Sequence, residues 1–126
     1  MTVRAWTGRR HREGGQSAVE FVGWVAVLLT AALAAVQLGF VAYAVQQAGT
    51  ASRAAARVAS QDPTADAGAA GEAAVSGWLG AEVGVGGGGE AVTATATVPI
   101  PSVLPLFTLP SAQRSTTMPV TTPATD

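Results

Sequence analysis

A chain of 126 residues has room for one small domain beyond any long single helix, and seven Lys/Arg against eight Asp/Glu leave it near neutrality, with no basic surface for nucleic acid. The absence of Cys, Lys and Asn excludes a disulfide framework, a thiolate metal site, a Walker-type phosphate-binding lysine and an N-glycosylation sequon, and His11 is the only histidine. Ala, Gly and Val dominate what is left.

Residues 1–15 form a basic leader carrying Arg4, Arg9, Arg10 and Arg12. It runs into Gly15-Gln16-Ser17-Ala18-Val19-Glu20-Phe21, where a single carboxylate stands at the mouth of a long apolar run. A carboxylate well inside a membrane span costs roughly 2.5–3.5 kcal/mol on insertion scales, so an acid at this position asks for a reason. The run continues from Phe21 to Val45, interrupted by Thr30, Gln37 and small glycines. That exceeds the roughly 20 residues needed to cross a bilayer and the 10–14 typical of a buried core helix, so a single transmembrane helix is predicted. Four arginines before the run, against Arg53 and Arg57 after it, predict a cytoplasmic N-terminus and an extracytoplasmic C-terminal region.

Two kinds of processing fit this layout. Ala42-Tyr43-Ala44 has the form of a secretory cleavage site, which would release a small protein cut after Ala44, but the apolar core before it is longer than the 7–15 residues of a signal peptide. Arg9-Arg10 is followed by His11, Arg12 and Glu13 instead of apolar residues, which argues against twin-arginine export. The other cut lies on the cytoplasmic side and leaves the helix on the mature chain. Gly15 followed by Gln16, Ser17, Ala18, Val19, Glu20 and Phe21 resembles the prepilin-peptidase site of type IV pilins and pseudopilins, with glycine last in the leader, glutamate fifth in the mature chain and an aromatic next.

The nearest resemblance is to the TadE-like proteins of Tad/Flp pilus systems, which pair this opening with a hydrophobic helix, an Ala/Arg-rich extension and a small exported region. Gln47 to Ala59 supplies such an extension. The resemblance implies a prepilin peptidase as processing partner and other pilin-like subunits and an assembly platform as partners of the helix. It also implies that Glu20 neutralises the new amine of a neighbouring subunit, which makes Gly15, Gln16, Glu20 and Phe21 substrate features of the peptidase and Glu20 an assembly element. An ion pair in low dielectric helps only when both charges are satisfied. Without the resemblance, Glu20 reads as an interfacial charge favoured by the dipole at a helix N-terminus.

Residues 16–61 are expected to form one helix that leaves the membrane, about 65 Å from Ser17 to Ala59 at 1.5 Å per residue. At 100° per residue Gln46, Thr50, Arg53 and Arg57 share one stripe, with Ala44, Ala48, Ala51, Ala55, Val58 and Ala59 opposite. The small-residue face suits packing either against other pilin-like helices or against the chain's own domain, and the two arginines suit water or headgroups. Asp62-Pro63 ends the helix.

Residues 62–110 read as a small exported α+β region. A second helix is predicted near Ala65–Trp78, weakened by Gly68, Gly71 and Gly77. Alternation over Leu79–Val85 and Val92–Val98 predicts a loose hairpin. Between them Gly84-Val85-Gly86-Gly87-Gly88-Gly89 matches G-x-G-x-x-G, but Val/Thr alternation and not a helix follows, so a flexible turn is expected in place of a dinucleotide site. Pro99, Pro101, Pro105 and Pro110 break Val98–Pro110 into an extended apolar segment, expected to cover the hairpin's open face or to meet a partner. Ser111–Asp126, rich in Ser, Thr and Pro, reads as a mobile, disordered tail.

Asp62, Asp66, Glu72, Glu82 and Glu90 have no spacing that suggests acid/base work, so neither an enzyme nor a cofactor, metal or small-molecule substrate is expected. The sequence thus predicts an α+β, single-pass membrane protein with a pseudopilin's role in a Tad-type pilus or related secretion apparatus. The competing readings are a bitopic anchor for a cell-envelope partner and a small secreted protein.

Overall fold

The computed structural model describes Thr2 and residues 11–121. Arg4, Arg9 and Arg10 of the basic leader, and residues 122–126 of the expected tail, lie outside the described residues. The element order is α1 (His11–Gln61), α2 (Ala67–Ala73), a 3-10 turn (Gly77–Leu79), β1 (Glu82–Gly88), β2 (Ala91–Val98) and β3 (Ala112–Pro119). Two compact units divide the chain, Met1–Ala35 and Val36–Asp126.

From residue 11 to residue 35 the first unit is helix. Its apolar side chains are uncovered: Phe21, Val22, Trp24, Val27, Leu28 and Leu29 are all exposed. By length and composition this helix is apolar enough to cross a membrane, and none of its most apolar stretch is buried. A core helix of a water-soluble domain would bury such residues.

The second unit packs the C-terminal part of α1 against an open antiparallel sheet of order β1-β2-β3. Ala44, Ala48, Ala51, Ala55 and Ala56 of α1 are fully buried, as are Ala94, Ala96 and Val98 of β2. The predicted stripes are those observed, with Gln46, Thr50, Arg53 and Arg57 exposed opposite the alanines and Val58 half-buried. Of the two uses expected for the alanine face, packing on the chain's own sheet is the one seen. Small side chains on both surfaces let helix and strand approach closely, and Ser52 Oγ bonds Thr116 Oγ1 at 2.8 Å across the join.

Asp62 follows the last residue of α1, as the Asp-Pro pair predicted. Its carboxylate accepts the Thr64 hydroxyl at 2.6 Å and the Thr64 amide at 2.8 Å, closing an Asx turn. Those bonds, the hydroxyl's first, hold the Asp62 carboxyl below its ordinary value. Asp66 caps α2 by accepting the Ala69 amide at 3.0 Å. The second helix is shorter than predicted, ending at Ala73, and Gly71 within it marks a close crossing: a Cβ there would stand 2.9 Å from the Ala51 carbonyl oxygen and 3.0 Å from the Ala55 methyl group.

Three expectations for the C-terminal half need correction. Leu79 is buried in the 3-10 turn, and β1 starts at Glu82. The glycine run is strand through Gly88, and the tight turn is confined to Gly89-Glu90 between the paired Gly88 and Ala91. Gly89 takes φ 81° there, the positive φ that a two-residue hairpin requires. Third, residues 112–119 of the expected mobile tail form β3, in register with β2 from Val98↔Ala112 to Ala91↔Pro119. The hairpin is therefore two strands of a three-stranded sheet. Hydroxyls line its outer face, with Thr93–Thr117 and Thr95–Ser115 each at 2.8 Å and Gln113 Nε2 donating to Thr97 Oγ1 at 3.2 Å.

Candidate processing and assembly segment

Gly15, Gln16, Glu20 and Phe21 all lie within α1. Gln16 and Glu20 are four residues apart and therefore share a helix face, with Cβ atoms about 5–6 Å apart in regular geometry. From Gly15 to Phe21 every residue is exposed. Gly14 and Gly15 have open space where a Cβ would be, and the Ser17 hydroxyl donates to the Gly14 carbonyl at 3.2 Å. Two adjacent glycines weaken a helix by about 1 kcal/mol each relative to alanine, so this is the turn of α1 most easily opened.

Farther along, Ala26, Val27, Thr30, Ala31 and Ala34 line a shallow apolar groove. The Thr30 hydroxyl is turned back onto the Ala26 carbonyl at 2.8 Å, so it offers no free donor on that surface. Val45, the predicted end of the span, is half-buried beside fully buried Ala44. The possible secretory site Ala42-Tyr43-Ala44 is thus in unbroken helix, with its last residue in the core of the second unit.

Gln37 interrupts the apolar run for a reason the sequence reading did not find. Its Nε2 donates to the Pro101 carbonyl at 3.0 Å, and its Oε1 accepts the Val103 amide at 2.9 Å. A lone amide inside an apolar helix demands partners, which is the signal that was available. The Pro-rich segment is therefore latched to α1, and Ile100 packs on the core beside it. Leu106 and Phe107 remain exposed, so the segment covers the sheet only in part.

Among the described residues there is no group of three or more His, Cys, Asp or Glu side chains able to hold a metal. Asp62 and Asp66 are engaged as a turn and a cap, and Arg53 and Arg57 are exposed. α1 thus has one bare and one packed portion.

No curated protein and no solved structure matches the chain. The family model described as "TadE-like protein" matches residues 15–57, which begins at Gly15 and includes Glu20, the whole apolar run and the arginines of the packed portion. Residues 15–57 are thus a TadE-like segment of the chain.

Proposed function

We propose that the protein is a pilin-like component of a Tad/Flp-type pilus or related secretion apparatus, anchored by one pass of α1 with its N-terminus in the cytoplasm. The observation that carries this reading is the bare apolar helix that opens on Gly15–Phe21 within the TadE-like match. A prepilin peptidase cuts after Gly15, where the glycine pair lets the helix open and nothing packs against it. The cut removes the leader arginines and creates an amine on Gln16, one turn from Glu20 on the same face. Glu20 then registers the subunit by neutralising that charge on a neighbour, while the groove at Ala26, Thr30 and Ala34 offers the small side chains that let membrane helices approach.

The test is the mature N-terminus, determined by mass in cells with and without a prepilin peptidase. Gln16 as first residue, only when the peptidase is present, is the expected result. An intact Met1 would favour the bitopic anchor, and Val45 would favour secretion, although cleavage there would cut through the buried helix core. Glu20→Ala is expected to be cleaved and inserted but poorly incorporated; normal incorporation would remove Glu20's role and leave the cleavage site standing.

A further inference from the structure

The apolar run of α1 stays uncovered as far as Leu38, which is 69% exposed. From Phe21 to Leu38 it rises about 27 Å, close to a hydrocarbon core of about 30 Å. From Phe40 onward one face of the helix becomes covered, with Ala44 fully buried. What the latch holds at the level of Gln37 is another apolar surface. Leu106 is 88% exposed, Phe107 64% and Leu109 37%, and residues 99–110 contain no charged side chain.

Backbone chemistry sets this loop apart from an ordinary surface loop. Pro99, Pro101, Pro105 and Pro110 each lack an amide donor. Gln37 satisfies the Pro101 carbonyl and the Val103 amide. The Ser102 hydroxyl lies 2.6 Å from the Leu104 carbonyl oxygen and 2.8 Å from that of Phe107, and the Phe107 amide donates to the Leu104 carbonyl at 3.2 Å. These bonds satisfy part of the loop's backbone, so that backbone suits the interfacial region, where water meets the remaining groups, and the apolar side chains alone reach inward from it. Nearer the sheet, Tyr43 and the 64%-exposed Trp78 stack with ring centroids 6.2 Å apart, and the Tyr43 hydroxyl bonds Ser76 Oγ at 2.9 Å. Amphipathic aromatics of this kind belong at headgroup depth. Arg53 follows Gln37 by about 24 Å along the helix, too far to reach the headgroups.

We infer that residues 99–110 form a membrane-dipping loop, which inserts Leu106, Phe107 and Leu109 into the extracytoplasmic leaflet beside α1 with Tyr43 and Trp78 at the interface. This rests on α1 crossing the bilayer.

The absence of cysteine makes a depth measurement direct. Single variants Phe107→Cys and Leu106→Cys, with Val27→Cys in the span and Glu90→Cys at the hairpin turn, are nitroxide-labelled in the full chain. Each is reconstituted in phosphatidylcholine/phosphatidylglycerol vesicles at high lipid excess, and collision with oxygen is compared with collision with a water-soluble nickel chelate. The label at 107 or 106 is expected about 5–10 Å inside the headgroup boundary, with the one at 27 deeper and the one at 90 in water. Labels at 106 and 107 as open to nickel as that at 90, with 27 deep, would overturn the loop and leave the span intact. A water-accessible label at 27 would overturn both. Labels at 106 and 107 shielded from both colliders and spin-coupled would assign the surface to a second copy in place of lipid.

Discussion

Leu28 and Ala48 lie on the same helix in opposite settings: the leucine is 65% exposed and the alanine fully buried. In a water-soluble protein the larger side chain would be the one inside. The inversion fits the proposed function, in which α1 meets two solvents. The N-terminal portion carries bulky side chains that the chain leaves uncovered; the C-terminal portion carries alanine because a sheet lies against it and leaves no room for more. Glycine at position 71, held within 3.0 Å of the Ala55 methyl group if given a Cβ, carries the same message from the other side of the contact.

Charge should separate the two portions most. Leu28→Asp is expected to cost about 2.5–3.5 kcal/mol of insertion free energy, and Thr50→Asp, on the exposed stripe, close to none. The readout is the fraction of chain that resists carbonate extraction from membranes. Equal loss in both variants would mean that the N-terminal portion is not in lipid.

Volume should separate them next, in the opposite sense. Ala48→Leu overpacks the helix–sheet contact and is expected to destabilise the second unit by about 1–3 kcal/mol. Leu28→Ala removes as many heavy atoms as Ala48→Leu adds and is expected to leave that unit's unfolding midpoint unchanged. The measurement is denaturant unfolding in detergent followed by the near-ultraviolet signal of the Tyr43–Trp78 stack. A smaller effect is expected at the join of the portions. Gln37→Ala strips partners from the Val103 amide and the Pro101 carbonyl, costing about 1 kcal/mol, and should speed amide exchange at Val103 while leaving Ala94 and Ala96 protected.

How far this contrast is legible in the sequence depends on how each element stores its information. The α1 stripes are plain because a 3.6-residue period repeated over many turns places Arg53 and Arg57 opposite Ala51 and Ala55 without ambiguity. The stop at Asp62-Pro63 is plain for a covalent reason. β3 is hidden: its inward positions are Ala112, Arg114, Thr116 and Met118, which do not read as an apolar face, and its outward Ser115 and Thr117 have the composition of a mobile tail. The available hint was that threonine's branched Cβ favours strands, and it becomes decisive only once Thr93 and Thr95 are known to stand opposite. The glycine run failed similarly, since strand β1 is held by pairing with β2 and not by its own side chains. Of the candidate site, the local motif Gly15–Phe21 is fully visible; the Gln37 latch joins residues 64 and 66 positions apart, a separation no local pattern encodes.

The finest test uses pH, because the stretch Phe21–Val36 has no titratable group whereas the turn that ends α1 depends on one. The Asp62 carboxylate is held below its ordinary value by the Thr64 hydroxyl and then by the Thr64 amide. A depressed folded-state value means that the turn's contribution is complete above the unfolded aspartate value, about 4, and is lost as pH falls through the lowered one. Carbon-detected NMR titration should therefore place the Asp62 midpoint below that of the same residue in a short peptide, with the Thr64 amide shift following it. Thr64→Ala removes the larger cause and is expected to move the midpoint back upward while the turn persists through the amide. An Asp62 midpoint unchanged by Thr64→Ala would show that the hydroxyl does not hold the carboxylate. Resonances from Phe21–Val36 should stay fixed across the same range, which would make the end of the packed portion pH-sensitive and the bare portion indifferent.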